Sequence, residues 1–136
     1  GSPLIYDVPR EYLSDETFAA ILTEAEKYLG YPYVWGGSSP ATSFDCSGYV
    51  SWVINHSGWD VGRLGAQGLY NICTPTSDPH PGDLVFFVGT YDTTGVSHVG
   101  IYVGDGWMLH CGDPISYTNL NNSYWQAHFY AYGRLP

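Results

Sequence analysis

Cys46 stands in the run Phe44-Asp45-Cys46-Ser47-Gly48, directly before the amphipathic stretch Tyr49-Val50-Ser51-Trp52-Val53-Ile54. The spacing predicts a helix from about Cys46 to Ser57, ended by Gly58, with the thiol in its first turn. A free thiol has a pKa of about 8.5, so only a few per cent is thiolate at neutral pH. A helix N-terminus favours the anion by about 0.3–1 kcal/mol, and an imidazole within hydrogen-bond reach shifts it much further. Two histidines lie downstream in strand-like settings, Ser97-His98-Val99-Gly100-Ile101-Tyr102-Val103 and Met108-Leu109-His110. This is the equipment of a cysteine hydrolase, with Cys46 as nucleophile, His98 as base and His110 as the group that orients His98. A carboxylate or amide is the more usual orienter. A histidine brings no full negative charge and stabilises an imidazolium less.

The sequence sets a geometric condition on the histidine pair. The two strands flank Gly104-Asp105-Gly106, a hairpin turn. With a three-residue loop, His110 falls opposite Gly100, and His98 and His110 share a face as diagonal neighbours. A two-residue loop without a bulge places His98 opposite Cys111 and sends the histidines to opposite faces. The relay therefore requires an odd-numbered connection or a bulge.

Plainer readings exist for each residue. A lone cysteine in an apolar helix usually packs, although Asp-Cys-Ser-Gly surrounds this one with small and polar neighbours. A zinc site from Cys46, His98, His110 and Cys111 lacks any Cys-x-x-Cys or His-Glu-x-x-His spacing. Gly36-Gly37 is no phosphate loop, because no Gly-Lys-Ser/Thr follows. His56, His80 and His128 read as turn or surface residues without a role. Cys73 and Cys111 read as buried small hydrophobes, with a disulfide between them left open. No metal or cofactor is expected.

The elements that must position these groups divide along the chain. Residues 1–13 read as a scar (Gly1-Ser2) followed by a lead-in with Pro3 and Pro9; residues 14–136 read as a single domain. Ser14-Asp15-Glu16 caps a helix whose Phe18, Ile21, Leu22, Ala25 and Leu29 recur at helical spacing, with Gly30 closing it. Tyr31 to Pro40 reads as an aromatic loop, and Ala66–Ile72 as a short helix. After Pro75, Pro79 and Pro81 the period changes. Leu84–Val88, His98–Val103, Trp107–Cys111 and Phe129–Gly133 read as strands. Helices first and strands second imply an α+β fold, N-terminal helices packed on one side of a C-terminal antiparallel β-sheet.

Composition narrows the partners. The 136 residues carry 13 acidic side chains against 4 basic ones, a formal charge of −9. Nucleic acid would be repelled, so that partner class is set aside. The few cations are Arg10, Lys27, Arg63 and Arg134. Aromatic content of 17% with 12% charged residues suits stacking and hydrogen bonding to peptide or sugar and leans extracellular. No apolar run is long enough to cross a membrane and no signal peptide is visible, so an export signal is expected outside this sequence.

Several motifs together resemble the NlpC-type family of papain-like bacterial cell-wall cysteine peptidases. They are Pro32-Tyr33-Val34-Trp35-Gly36-Gly37, Phe44-Asp45-Cys46-Ser47-Gly48, Arg63 with Gln67, Pro81-Gly82-Asp83-Leu84-Val85-Phe86-Phe87, His98-Val99-Gly100-Ile101-Tyr102 and Leu109-His110. The resemblance runs from about Pro32 to His110, more loosely to Arg134. It implies a papain-like fold and cleavage of peptidoglycan stem peptides between D-γ-glutamate and the following diamino acid. By match, Cys46 is the nucleophile, His98 the base and His110 the third polar residue. Tyr33 corresponds to a tyrosine near the oxyanion, and Asp45 and Ser47 to positions that can hold a free amino end of the stem. Arg63, on the scarcity of cations, is assigned to the D-glutamate α-carboxylate. Two departures stand out: the segment from Gly37 to Asp45 is slightly longer than in some relatives, and Cys111 occupies a place where small residues are common.

The resemblance further implies a secreted or cell-wall location, a monomer, and fusion to another wall-acting or wall-binding domain. Three other functions fit parts of the sequence. An N-acetylmuramoyl-L-alanine amidase or an acyltransferase could share the fold, and a non-catalytic wall-binding module could retain it. Intact Cys46, His98 and His110 argue against the last.

Overall fold

A computed structural model of the chain describes residues 3–136. Gly1 and Ser2, read above as a scar, lie outside the described residues. A 3₁₀ turn, Arg10–Ser14, leads into α1 (Glu16–Glu26), capped by the Asp15 carboxylate, which accepts from the N–H groups of Thr17 and Phe18. Two short strands, β1 (Ser38–Ser39) and β2 (Ser43–Phe44), pair before α2 (Cys46–Asn55), which α3 (Ala66–Ile72) follows. The rest is β3 (Thr74–Thr76), β4 (Leu84–Val88), β5 (Val96–Gly104), β6 (Trp107–Cys111), β7 (Ile115–Asn119), α4 (Ser123–His128) and β8 (Phe129–Arg134).

Six of these strands form one sheet in the order β3-β8-β4-β5-β6-β7, every neighbouring pair antiparallel. The expected α+β class and antiparallel sheet are therefore present. Leu84, Phe86, Val99, Ile101, Val103, Leu109, Cys111, Ile115 and Tyr117 face one core with Phe18, Ile21, Leu22, Tyr49, Val50, Val53 and Ile54 of α1 and α2. Val85, Phe87 and Met108, at the alternate positions, form a smaller cluster on the other face with Leu120, Trp125 and Tyr132. This period-two division is what a sheet covered on both faces requires.

The N-terminal helices share one side of the sheet as expected, and the second cluster adds a C-terminal helix, α4, that carries Trp125 onto the face opposite α1 and α2. α4 has six residues, too few for an apolar period to show in sequence, and Asn122 starts it by accepting from Tyr124 and Trp125 N–H. Helix bounds also contract: α1 stops before Leu29, and α2 stops at Asn55 rather than Ser57. The three cysteines are free, so Cys73 and Cys111 do not pair. Residues 3–13 lie against the domain. Tyr6 stacks on Trp107 at 4.3 Å, Tyr12 Oη donates to Asp105 at 2.6 Å, and Val8 is buried. Among the described residues no helix is long and apolar enough to cross a membrane.

Candidate active site

Cys46 is the first residue of α2, and Asp45 is its N-cap. The Asp45 carboxylate accepts from Gly48 N–H at 2.7 Å and reaches back to Gly36 N–H at 3.1 Å, which ties the helix start to the aromatic loop before it. The two segments meet backbone to backbone. Asp45 N–H donates to Gly37 O at 3.0 Å, and a Cβ at Gly48 would lie 2.0 Å from that same oxygen. Glycine at 48 is thus a packing requirement of the site.

The Cys46 sulfur lies 3.8 Å from Ser97 O, at the beginning of β5. The Val99 and Ser47 N–H groups also act on it, pulling its pKa down. The thiol is therefore set against the segment that carries His98, between that residue's two backbone neighbours. Cys46 is 6% exposed, yet it lines an open cleft of about 420 Å³ with Tyr33, Trp35, Asp45, Ser47 and Arg63. That volume falls in the range of small-ligand sites.

β5 and β6 meet the geometric condition set by the sequence. Their register runs Ile101↔Leu109 and Tyr102↔Met108, then shifts to Gly104↔Trp107. The turn is thus the two residues Asp105 and Gly106, and an irregularity at Val103 restores the parity that a three-residue loop would have given. Asp105 and Gly106 both have positive φ, 52° and 80°, as a tight hairpin turn needs. Extending the register by one residue puts Gly100 opposite His110. A Cβ on Gly100 would approach Met108 Sδ to 2.7 Å and His110 Cβ to 3.1 Å, so the missing side chain makes room for Met108 and His110. His98 Nε2 and His110 Nδ1 are 2.8 Å apart. On its far side, His110 Nε2 lies 2.9 Å from Thr118 Oγ1 on β7.

His98 and His110 are 8% and 3% exposed. Trp125 covers both, its ring 5.2 Å from each imidazole, and Phe87 packs at 5.9 Å from His98. Burial pushes the His98 imidazole down to about 4, with Asp45 opposing weakly. His110 is lowered by burial and then by His98. Burial, with Asp45 assisting, pushes the Cys46 thiol up to about 11, against the pull of the Val99 and Ser47 N–H groups and Arg63. Burial thus disfavours the charged form of both the thiol and the imidazole.

The remaining expected residues converge on the same cleft. Tyr33 bridges to Phe44, and its N–H donates to the Asp113 carboxylate at 3.2 Å. Burial, with Cys46 and Asp45 nearby, raises its phenol well above the usual range, so it stays a hydrogen-bond donor. Arg63 is exposed, but its guanidinium is engaged by the protein more than the sequence anticipates. Its Nη2 donates to both Asp45 oxygens at 2.9 Å, and its Nη1 donates to Ser47 Oγ at 2.8 Å and Leu64 O at 2.7 Å. Thr118 and Trp125 were not anticipated as site residues. Ile115-Ser116-Tyr117-Thr118 does alternate apolar and polar residues, the one signal that could have revealed β7. Among the described residues, no three His, Cys, Asp or Glu side chains are grouped to hold a metal ion.

Comparison with known proteins agrees with this architecture. The sequence model of the NlpC/P60 family matches residues 30–134. The chain is similar to the bifunctional muramidase/DL-endopeptidase CwlT of Bacillus subtilis, at 42% identity over 125 residues, covering 90% of this chain and 38% of that protein. It is also similar to the gamma-DL-glutamyl hydrolase of Bacillus subtilis, at 38% identity over 121 residues, covering 79% of this chain and 27% of that protein. The chain thus spans well under half the length of these curated relatives. Among solved structures, a lipoprotein-like NLP/P60 family protein from Staphylococcus aureus superposes with a TM-score of 0.85 at 42% identity, covering 98% of this chain and 44% of that one. The matched residues include the thiol, both histidines and the loop that lines the cleft, and the chain belongs to the NlpC/P60 family.

Proposed function

We propose that this domain is a peptidoglycan hydrolase, a cysteine endopeptidase that cuts stem peptides at the bond between D-γ-glutamate and the following diamino acid. The observation that carries the reading is the Cys46 sulfur placed against Ser97 and Val99, on either side of a His98 whose ring is held by His110 at 2.8 Å. The names of the two Bacillus subtilis relatives, a DL-endopeptidase and a gamma-DL-glutamyl hydrolase, support the class of bond.

His98 Nε2 is engaged by His110, which leaves Nδ1 to receive the thiol proton. Burial works against a separated thiolate and imidazolium, so proton transfer accompanies attack of sulfur on the amide carbon. The developing oxyanion is met by the backbone N–H of Cys46 at the helix start and by the Tyr33 hydroxyl. The imidazolium then protonates the leaving amine, and a thioester remains on Cys46. Water, deprotonated by the same His98, hydrolyses it.

Asp45 and Ser47 hold the free amino end of the stem in the cleft, and Arg63 fixes the Asp45 carboxylate for that task. Both Arg63 terminal nitrogens are committed, so contact with the D-glutamate α-carboxylate falls to Nε. Lys27 and Arg134 are already paired with Glu24 and Asp83, which leaves few other cations for that group. The reading places the protein outside the cell at the wall, as a monomeric domain joined to another wall-acting or wall-binding part.

Digestion of purified muropeptides followed by mass spectrometry tests the assignment. Free tripeptide with disaccharide-dipeptide is the expected product pair. Intact stem peptides released from the glycan indicate an amidase instead, and the absence of products indicates a wall-binding module.

A further inference from the structure

His110 is itself held from behind. Its Nδ1 meets His98 Nε2, and its Nε2 meets Thr118 Oγ1 at 2.9 Å. Thr118 is 6% exposed and pairs with Met108 across β6 and β7, while Ser116 pairs with His110. Ile115 and Tyr117 face the helix-side core, so the alternation sends Ser116 and Thr118 to the face that carries the histidines.

An imidazole with one partner at each nitrogen has two arrangements. If Thr118 accepts from His110 Nε2–H, His110 Nδ1 is bare and accepts from His98 Nε2–H, and His98 Nδ1 is free to take a proton. If the hydroxyl donates instead, the order reverses, and His98 carries its proton on Nδ1, where it cannot relieve the thiol. A hydroxyl can rotate to suit either arrangement, so the resting state alone does not choose. The reacting state does. When the Cys46 S–H bond breaks and an N–H bond forms at His98 Nδ1, His98 must still donate through Nε2 to a bare His110 Nδ1. The proton on His110 then has to sit on Nε2, where an acceptor must stand.

We propose that Thr118 is a positioning residue of the catalytic machinery, the acceptor that fixes the His110 tautomer and thereby keeps His98 Nδ1 basic. The inference rests on the reading of Cys46, His98 and His110 as the hydrolytic group, and no proton leaves the chain in this role. A valine of the same shape would leave a buried His110 N–H without a partner and remove the preference between the two tautomers.

The test compares Thr118→Val and Thr118→Ser with the parent domain by two readouts. In stem-peptide hydrolysis, Thr118→Val is expected to lower kcat by ~10-fold or more, the equivalent of one lost buried hydrogen bond, while KM stays level. Thr118→Ser should restore most of the loss. Independently, imidazole nitrogen NMR should show both His98 and His110 protonated at Nε2 in the parent domain, and a mixed or reversed His110 in Thr118→Val. A parent His110 protonated at Nδ1, or a Thr118→Val protein with unchanged kcat and unchanged nitrogen shifts, overturns the proposal. If Thr118→Val fails to fold, the parent spectrum alone decides. If the parent cuts no stem peptide, the hydrolase reading fails, and the same spectrum still settles the part assigned to Thr118.

Discussion

His98 Nε2 and His110 Nδ1 stand 2.8 Å apart because a two-residue turn is combined with an irregularity at Val103. Without that extra residue the two rings would lie on opposite faces of the sheet. The contact between the rings is thus a consequence of strand parity, reinforced by the absence of a side chain at Gly100.

Removing the two rings should have unequal effects. His98→Ala should reduce kcat by ~10²–10⁴-fold, the usual contribution of a positioned base. His110→Ala should cost less, since in the proposed mechanism it orients His98 and does not itself take the thiol proton. Steady-state kinetics on one stem peptide checks the order. A larger loss for His110 than for His98 would contradict the assigned roles.

Acid should destabilise the fold through the same rings. His98 is held at about 4 in the folded protein against about 6.5 when unfolded. Between those values the unfolded chain binds the extra proton, so stability is fully present above about pH 6.5 and is lost as pH falls toward 4. The buried ring contributes on the order of 3 kcal/mol across that window, and His110 shifts in the same direction. Denaturant titrations at pH 7 and pH 4.5 should show the loss, and His98→Gln should reduce it. Activity should persist down to about pH 5 and then fall as His98 charges. A wild-type curve as pH-sensitive as that of His98→Gln would refute the assignment.

Asp45 caps α2, and substitution separates that observed role from the substrate contact proposed for it. Asn caps a helix about as well as Asp, whereas Ala loses about 1 kcal/mol. Asp45→Asn should therefore keep most of the thermal stability but raise KM for stems with a free amino end, because the charge is gone. Asp45→Ala should lose both. Equal KM values for wild type and Asp45→Asn would remove Asp45 from the substrate site.

Much of this arrangement is legible in the amino-acid sequence. The thiol at a helix start, the hairpin around Asp105 and the order of helices and strands all follow from local patterns of apolar residues and turn chemistry. The pairing of Arg63 with Asp45 was not legible, because their contact spans a loop whose path no periodicity fixes. Trp125 escaped for a different reason: a six-residue helix shows too little period to be recognised, and its ring matters only through the sheet face it covers. The shifts of the thiol and the imidazole away from their charged forms depend on the depth of burial, which is a property of the assembled layers.

Gly48 tests the packing beneath the thiol. A methyl group there meets Gly37 O at 2.0 Å, and both partners are backbone, so neither can swing away. Gly48→Ala should destabilise the domain by about 1–3 kcal/mol or displace the Gly36-Gly37 loop. Thermal unfolding checks this, and an unchanged midpoint together with full activity would show that the close approach is not needed.

The most direct test of the account is intact-protein and peptide mass spectrometry after an acid quench of the domain mixed with a stem peptide. The account predicts an acyl adduct on the Cys46 peptide that disappears in Cys46→Ala, along with turnover, while the melting temperature of that variant stays within a few degrees of the parent. Turnover that survives Cys46→Ala, or an adduct carried by another residue, would contradict it.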